Sequence, residues 1–517
     1  MLLFTGLGLA LLLSELDQTV FATALPTVVG ELRGVQDMLW VNTAYILTGT
    51  VVLPVYGRLS DLVGRRPLLL AALGVFLLGS VVGGLAPDMA TLIAARAIQG
   101  LGGGGLIILV QAVVADAVPA RERAPYLSAI GAVFAVAAVA GPVLGGWLTE
   151  GIGWRWAFWL NLPLGALAVL AVLLLLPEPA RHRVRVPLDL AGFTALSTGV
   201  TAVVLLASWA GTRYAWDSPV VLSLAALAFA AVVAFLLAEH RAAEPLVPLG
   251  LFRDRTFTTA VVAGLLMAVA MFGTVGYLPT YLQMVTGLGP TAAGMAMLTL
   301  IAGLALCTVG SAQLVRRTGR YRVLTLTGTL LTAAALALLA TLTPSTPLWQ
   351  TGTYLFLLGA GIGCAWEVLV VVVQNASPPD LVGTATAANS FFREIGVCLG
   401  SAVVGALFTA RLVLPAQATA LTPEATRALP PGLRAAVASA YDAALTPVFA
   451  VLVPVVLLAT VALLALREQP LATTVAPGPD GDARPAGYRD PAADPVGGAD
   501  QEGAGGTSGS GGSVSAR

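Results

Sequence analysis

Long apolar runs separated by short polar turns dominate the chain. Runs near the ~20 residues that carry a helix across a bilayer fall at 3–27, 39–57, 68–87, 90–114, 124–148, 157–177, 188–209, 219–238, 257–284, 291–315, 322–342, 349–373, 384–410 and 446–466, fourteen in all. Several are rich in glycine and alanine, which suits helices that approach closely in lipid. The pattern predicts an all-α membrane protein with 14 transmembrane helices in a 6+2+6 arrangement. Residues 1–180 form one six-helix bundle, 181–245 two inserted linker helices, and 246–468 a second six-helix bundle with an external loop at 411–445. In that loop Pro430-Pro431-Gly432 breaks two short helical patterns, and from 469 to 517 the Gly, Ala, Pro, Asp and Ser content predicts a disordered cytoplasmic tail.

Composition agrees with the spans. Only 10% of the 517 residues are charged and 57% are hydrophobic, so lipid must solvate most of the surface. Every basic residue is an arginine. With the loop at 57–67 placed in the cytoplasm, sixteen arginines fall on that side (58, 65, 66, 121, 123, 181, 183, 185, 241, 253, 255, 316, 317, 320, 322 and 467) and six on the other (33, 155, 213, 411, 427 and 434). This positive-inside bias puts both termini in the cytoplasm of a multi-pass protein of the plasma or inner membrane. The first run is not read as a signal peptide: no positive residue precedes it, and Glu15 and Asp17 interrupt it. The chain starts almost inside that helix, which leaves room for residues upstream. Cys307, Cys364 and Cys398 lie inside apolar runs with no disulfide or metal spacing.

Five motifs occur in order. Gly57, Asp61, Gly64, Arg65 and Arg66 mark the loop after the second span. Leu16-Asp17-Gln18-Thr19-Val20 with Ala24-Leu25-Pro26 lies in the first span, and Leu92, Arg96, Gln99, Gly100 and Gly102 in the fourth. Gly141-Pro142-Val143-Leu144-Gly145-Gly146 lies in the fifth, with Ala137 at a position where a glycine is expected. Trp154-Arg155-Trp156 through Asn161, Pro163 and Gly165 opens the sixth. A weaker match in the second half comprises Gln374-Asn375, Phe392-Arg393, Gly396 and Gly400. Together, over about residues 10–466, they resemble the major facilitator superfamily and its fourteen-helix drug/proton antiporter branch. The resemblance implies that the bent fifth span seals the cavity against proton leak. On the residues alone, 141–146 predicts a kink against which a neighbour can press, with or without a functional role.

Charges inside spans cost about 2.5–3.5 kcal/mol or more each, so they need partners or water. The candidates are Glu15, Asp17, Arg96, Glu367, Arg393 and Glu394. At ~1.5 Å per residue, Asp17 in an outward span and Arg96 in an inward one reach nearly the same depth. The pair is expected either to exchange a proton during transport or to form a permanent brace. Glu15, about 200° around the helix from Asp17, is a second acid or a partner for another helix. Glu367 and Arg393 can neutralise each other, or Glu367 can attract a cationic substrate. Glu394 is expected to point elsewhere. Asp61 with Arg65 and Arg66 is read as a latch formed in one access state, or as a passive topogenic anchor. Leu62 stands where many relatives carry a basic residue, which weakens that latch. Tyr277, Tyr281, Gln283, Gln111, Trp366 and Asn389 are candidate cavity lining, and each is equally compatible with helix packing.

These features point to a proton-coupled exporter of amphipathic small molecules. The alternatives are a lipid or metabolite exporter on the same fold, and a non-transporting membrane sensor. No lysine means no phosphate-binding Gly-x-x-x-x-Gly-Lys-Ser/Thr loop, so a proton gradient is the expected energy source. No catalytic constellation, metal site, cofactor site or nucleic-acid surface is expected. The partners are substrate, protons and lipid, and the protein is expected to be a monomer.

Overall fold

The computed structural model describes residues 2–32, 37–176, 189–211, 213–242, 244–415, 426–427 and 429–473. The expectations for the 177–188 boundary, for 416–425 of the external loop and for the tail from 474 onward lie outside these residues. The compact unit runs from Met1 to Val475.

Sixteen α-helices are followed here in chain order. They are α1 (Leu2–Glu31), α2 (Met38–Val63), α3 (Arg65–Gly84), α4 (Met89–Ala117), α5 (Ala120–Glu150), α6 (Trp156–Trp159), α7 (Asn161–Leu175), α8 (Leu190–Trp209), α9 (Pro219–Arg241), α10 (Arg255–Val275), α11 (Leu278–Met284), α12 (Pro290–Thr318), α13 (Arg322–Leu339), α14 (Leu348–Asn375), α15 (Val382–Arg411) and α16 (Pro431–Leu464). Among the described residues, thirteen helical segments are long and apolar enough to span a membrane. Together with the thirty-residue α1 they coincide with the fourteen predicted runs. The last helix starts earlier than its apolar run suggests. Pro431 occupies its first turn, where a missing N–H costs nothing, so the expected loop at 411–445 is helical from 431 onward.

Helix starts follow from sequence. The side chains of Asp88, Asp189, Ser218 and Asp254 each accept a backbone N–H in the first turn of α4, α8, α9 and α10. Gly64, at φ 97°, makes the abrupt turn between α2 and α3 that an L-residue rarely adopts.

α1 to α7 pack into one bundle through the α1–α5, α1–α7, α2–α4 and α3–α4 pairs. α10 to α16 form the second through α10–α15, α12–α14, α13–α14 and α13–α16. The bundles meet through α2 against α15 and α5 against α12. α8 packs on α9 and reaches both α2 and α15, while most of α9 faces outward. The 6+2+6 layout read from the sequence is consistent with this packing.

Candidate functional site

The most polar point inside the first bundle is centred on Asp17, which is 3% exposed. Its carboxylate forms an ion pair with Arg96 of α4. It also accepts from Gln99 Nε2 at 3.0 Å and from Asn161 Nδ2 at 2.7 Å. Gln99 in turn accepts from Arg96 at 2.9 Å, and Ser80 of α3 accepts from both Gln99 (2.9 Å) and Asn161 (3.1 Å). The guanidinium carbon of Arg96 lies 4.4 Å from the Tyr45 ring centroid and 5.1 Å from that of Phe21. Tyr45 is held by Ser14 at 2.9 Å. Five helices thus converge on one charge pair. Removing either partner would leave an uncompensated buried charge, a loss of about 3–5 kcal/mol.

Helix rise alone predicts Asp17 and Arg96 at one depth, and the structure brings them together. Gln99 and Asn161 are legible in the sequence only as motif residues, not as partners. Ser80 and Tyr45 are not legible there: each is a lone polar residue in an apolar run, a signal that hydropathy averages away. Glu15, two residues before Asp17, is half-buried on the other side of α1, and the carboxylate within electrostatic range of it is Glu394 of the second bundle.

The second bundle holds a different arrangement. Glu367 of α14 and Arg393 of α15 are both buried and within electrostatic range of each other, yet no hydrogen bond or close salt bridge joins them. Arg393 instead lies over the Trp366 ring, 3.4 Å from its centroid. Asn389, one turn before Arg393, is fully buried. Gln111 of α4 is buried, and its carbonyl oxygen accepts from Gln374 of α14 at 3.2 Å, a contact between the bundles. Tyr281, read from the sequence as cavity lining or helix packing, is buried and donates to Asp442 at 2.9 Å while packing against Phe449, so it belongs to the core between α11 and α16. Tyr277 packs at a tilt against Phe408 with centroids 5.6 Å apart, and Gln283 is half-buried on α11.

On the arginine-rich face Asp61 joins the bundles. It accepts from the backbone N–H groups of Gly383 (2.9 Å) and Thr384 (2.6 Å) and from the Thr384 hydroxyl (2.6 Å). These are the unsatisfied donors at the start of α15, where an anion is favoured by the helix dipole. Arg65 clamps Asp61 at 2.6 Å and Asp116 at 2.9 Å. Gly57 is needed for the approach: a β-carbon there would collide with Ala387. Arg66 turns away and donates to the Leu173 carbonyl at 2.8 Å. Arg58 pairs with Glu244, tying this loop to the segment after α9.

α5 runs unbroken through Pro142, whose side chain lies outside the described set. A β-carbon at Gly141 would collide with Thr19 of α1, and Thr19 donates to the Ala137 carbonyl at 3.0 Å, so a neighbour does press on this stretch. Gly145 is buried and Gly146 faces open space.

The segment after α16 is not the start of a loose tail. Leu466 and Leu471 are buried. Tyr321 of α13 donates its backbone N–H to Glu468 (3.1 Å) and its hydroxyl accepts from Gln469 N (2.6 Å). Asn375 of α14 accepts from Ala472 N at 3.3 Å, and the Ala472 carbonyl accepts from Arg121 N of α5 at 3.1 Å. Residues 465–473 therefore lie across the second bundle and end on the first. Within 469–473 the disorder expected from low hydrophobicity gives way to backbone hydrogen bonds and the buried Leu471.

Comparison with known proteins agrees with this architecture. A sequence profile described as Major Facilitator Superfamily matches residues 7–193 and 190–401. An uncharacterized MFS-type transporter of Mycobacterium tuberculosis is 38% identical over 481 residues, covering 91% of this chain and 70% of that protein. The multidrug transporter protein MdtP of Bacillus subtilis is 34% identical over 410 residues, covering 79% and 75%. The crystal structure of the human organic anion transporter MFSD10 (TETRAN) superposes with a TM-score of 0.61 at 19% identity, covering 88% of this chain and 99% of that one, a likeness of fold. Two helical bundles, the charge pair buried in the first and a profile match along most of the length lead to one assignment: this chain belongs to the Major Facilitator Superfamily.

Proposed function

We propose that the protein exports amphipathic small molecules across the plasma membrane in exchange for protons, with both termini in the cytoplasm. The observation that carries this reading is the Asp17–Arg96 pair with its polar ring of Gln99, Asn161 and Ser80. Protonating Asp17 removes the charge that holds Arg96, frees donors on α4 and α7, and loosens the seat of α1 between them. A proton arriving from outside thereby alters the packing of three helices, and its departure restores it. Each charge crossing 100 mV releases about 2.3 kcal/mol, enough to bias such an equilibrium.

The Asp61 contacts with the start of α15 supply the other half of the cycle. They belong to the state in which the bundles meet on the cytoplasmic side, and opening towards the cytoplasm must break them. The efflux and multidrug names carried by relatives at about this level of similarity support a drug-like cargo. In proteoliposomes with an imposed pH gradient, the wild type should accumulate a fluorescent amphipathic cargo and Asp17→Asn should not, while cargo binding persists. Full gradient-driven transport by Asp17→Asn would make the pair a brace.

A further inference from the structure

The second bundle contains a cluster of buried polar atoms that the protein itself does not satisfy. Oε2 of Glu367, a residue 7% exposed, has no hydrogen-bond partner. Asn389 is 0% exposed, and neither its Oδ1 nor its Nδ2 is bonded. Asn389 lies one turn before Arg393, and Glu367 is within electrostatic range of it, but the guanidinium rests on Trp366 rather than on either of them. A β-carbon at Gly264 of α10 would sit 3.4 Å from both Asn389 Oδ1 and Arg393 Cγ, an ordinary contact distance, so α10 approaches this cluster with backbone alone.

Depth places the groups together. At ~1.5 Å per residue, Glu367 lies about 12 Å from the end of α14, between Asn389 at about 10 Å and Arg393 at about 16 Å from the start of α15. Leaving a buried polar group unsatisfied costs about 1–3 kcal/mol, and more when it is charged. Three such atoms at nearly one depth are uncommon in a folded protein and call for a ligand. The ligand's chemistry follows by complement. Glu367 Oε2 and Asn389 Oδ1 each need a donor, Asn389 Nδ2 needs an acceptor, and the carboxylate favours a cationic donor.

We propose that this pocket binds the head of a protonated primary or secondary amine that carries a neighbouring hydroxyl or carbonyl oxygen. The ammonium N–H groups reach Glu367 Oε2 and Asn389 Oδ1, and the oxygen accepts from Asn389 Nδ2. The assignment rests on the exporter reading and specifies the head group of its cargo. A quaternary ammonium has the charge but no N–H, so it leaves the same atoms unsatisfied and is discriminated against. A site built from hydrogen bonds rejects analogues that lack them far better than an apolar pocket does.

Equilibrium binding to the purified full-length protein tests this with two probes. One is propranolol, a naphthyl ether with a secondary ammonium beside a hydroxyl. The other is its N,N-dimethyl quaternary derivative. The wild type should bind propranolol at least about tenfold more tightly, the equivalent of one charged hydrogen bond. Glu367→Gln and Asn389→Leu should each bring the two affinities within about threefold, while Glu367→Asp retains the preference. A ratio measured on one preparation is unaffected by partial loss of folded protein. Equal affinities in the wild type, binding of neither probe, or a preference that survives in both variants overturns the assignment. The exporter reading fails separately: a preserved binding preference with no gradient-driven flux of propranolol leaves the pocket standing and removes the coupling.

Discussion

Each bundle buries a carboxylate, an arginine and an aromatic ring, but the two sets are wired differently. In the first, Asp17 takes Arg96, Gln99 and Asn161 as donors, and Arg96 lies against Tyr45 and Phe21. In the second, Arg393 lies over the Trp366 ring with Glu367 and Glu394 in electrostatic range but not hydrogen-bonded to it, while Glu367 and Asn389 are left with unsatisfied atoms. Similar components therefore make a closed network on one side and an unsatisfied cluster on the other. The difference lies in the neighbours: Gln99, Ser80 and Asn161 come from three helices that converge on Asp17, whereas Gly264 faces Asn389 and Arg393 without offering a side chain. A saturated site suits a two-state proton carrier, and an unsaturated one suits a guest.

The contrast breaks most readily at the arginines. Arg96→Met should destabilise the protein by about 3–5 kcal/mol, because it strands a buried carboxylate, whereas Arg393→Met removes a partner that Glu367 does not bond. Thermal unfolding in one detergent compares them, and equal losses would mean that the two sites are equivalent. The asparagines give a change of sign. Asn161→Leu removes a donor from Asp17 and should cost about 1–3 kcal/mol, while Asn389→Leu replaces unsatisfied atoms with methyl groups and should be neutral or stabilising. A destabilising Asn389→Leu would show that the second site is satisfied after all.

The junction between the bundles supplies a third test. Asp61→Asn keeps the shape but weakens the cap on α15 and the clamp from Arg65, and transport should drop by about tenfold, as for loss of one charge-assisted hydrogen bond. Melting temperature should change little, which separates a latch from a structural tie. The smallest effect is expected on the opposite face. There Arg155 and Trp154 hydrogen-bond Glu31 at 2.6 and 2.7 Å and hold its carboxyl below the usual carboxylate range. A depressed carboxyl contributes stability above its unfolded value of about 4.3 and loses it as pH falls through the folded value. Glu31→Gln should therefore melt slightly below wild type at pH 7 and alongside it near pH 3, a small difference because the pair is exposed.

Hydropathy located every long helix, because a bilayer admits few other solutions. Depth counting aligned Asp17 with Arg96 for the same reason: a helix has a fixed rise, so two charges at one level can be matched on paper. Rotation about the axis was not legible. Tyr281 turned to Asp442 in the core, Arg393 to Trp366, and Glu394 towards Glu15, and each choice depends on neighbours from other helices. The helical start of α16 at Pro431 and the ordered residues 469–473 were missed because both lack hydrophobic density and depend on partners distant in sequence.

The stretch from Ala465 to Thr473 has a mechanical consequence. Its near end is held by Tyr321 of the second bundle and its far end by Arg121 of the first. Any motion that draws these two residues apart has to sever the Arg121–Ala472 hydrogen bond or drag the peptide along. Nine residues pulled straight reach only about 30 Å, so the peptide works as a short leash. A reporter protein fused directly after Leu464 would replace that leash and disturb the motion it was meant to follow.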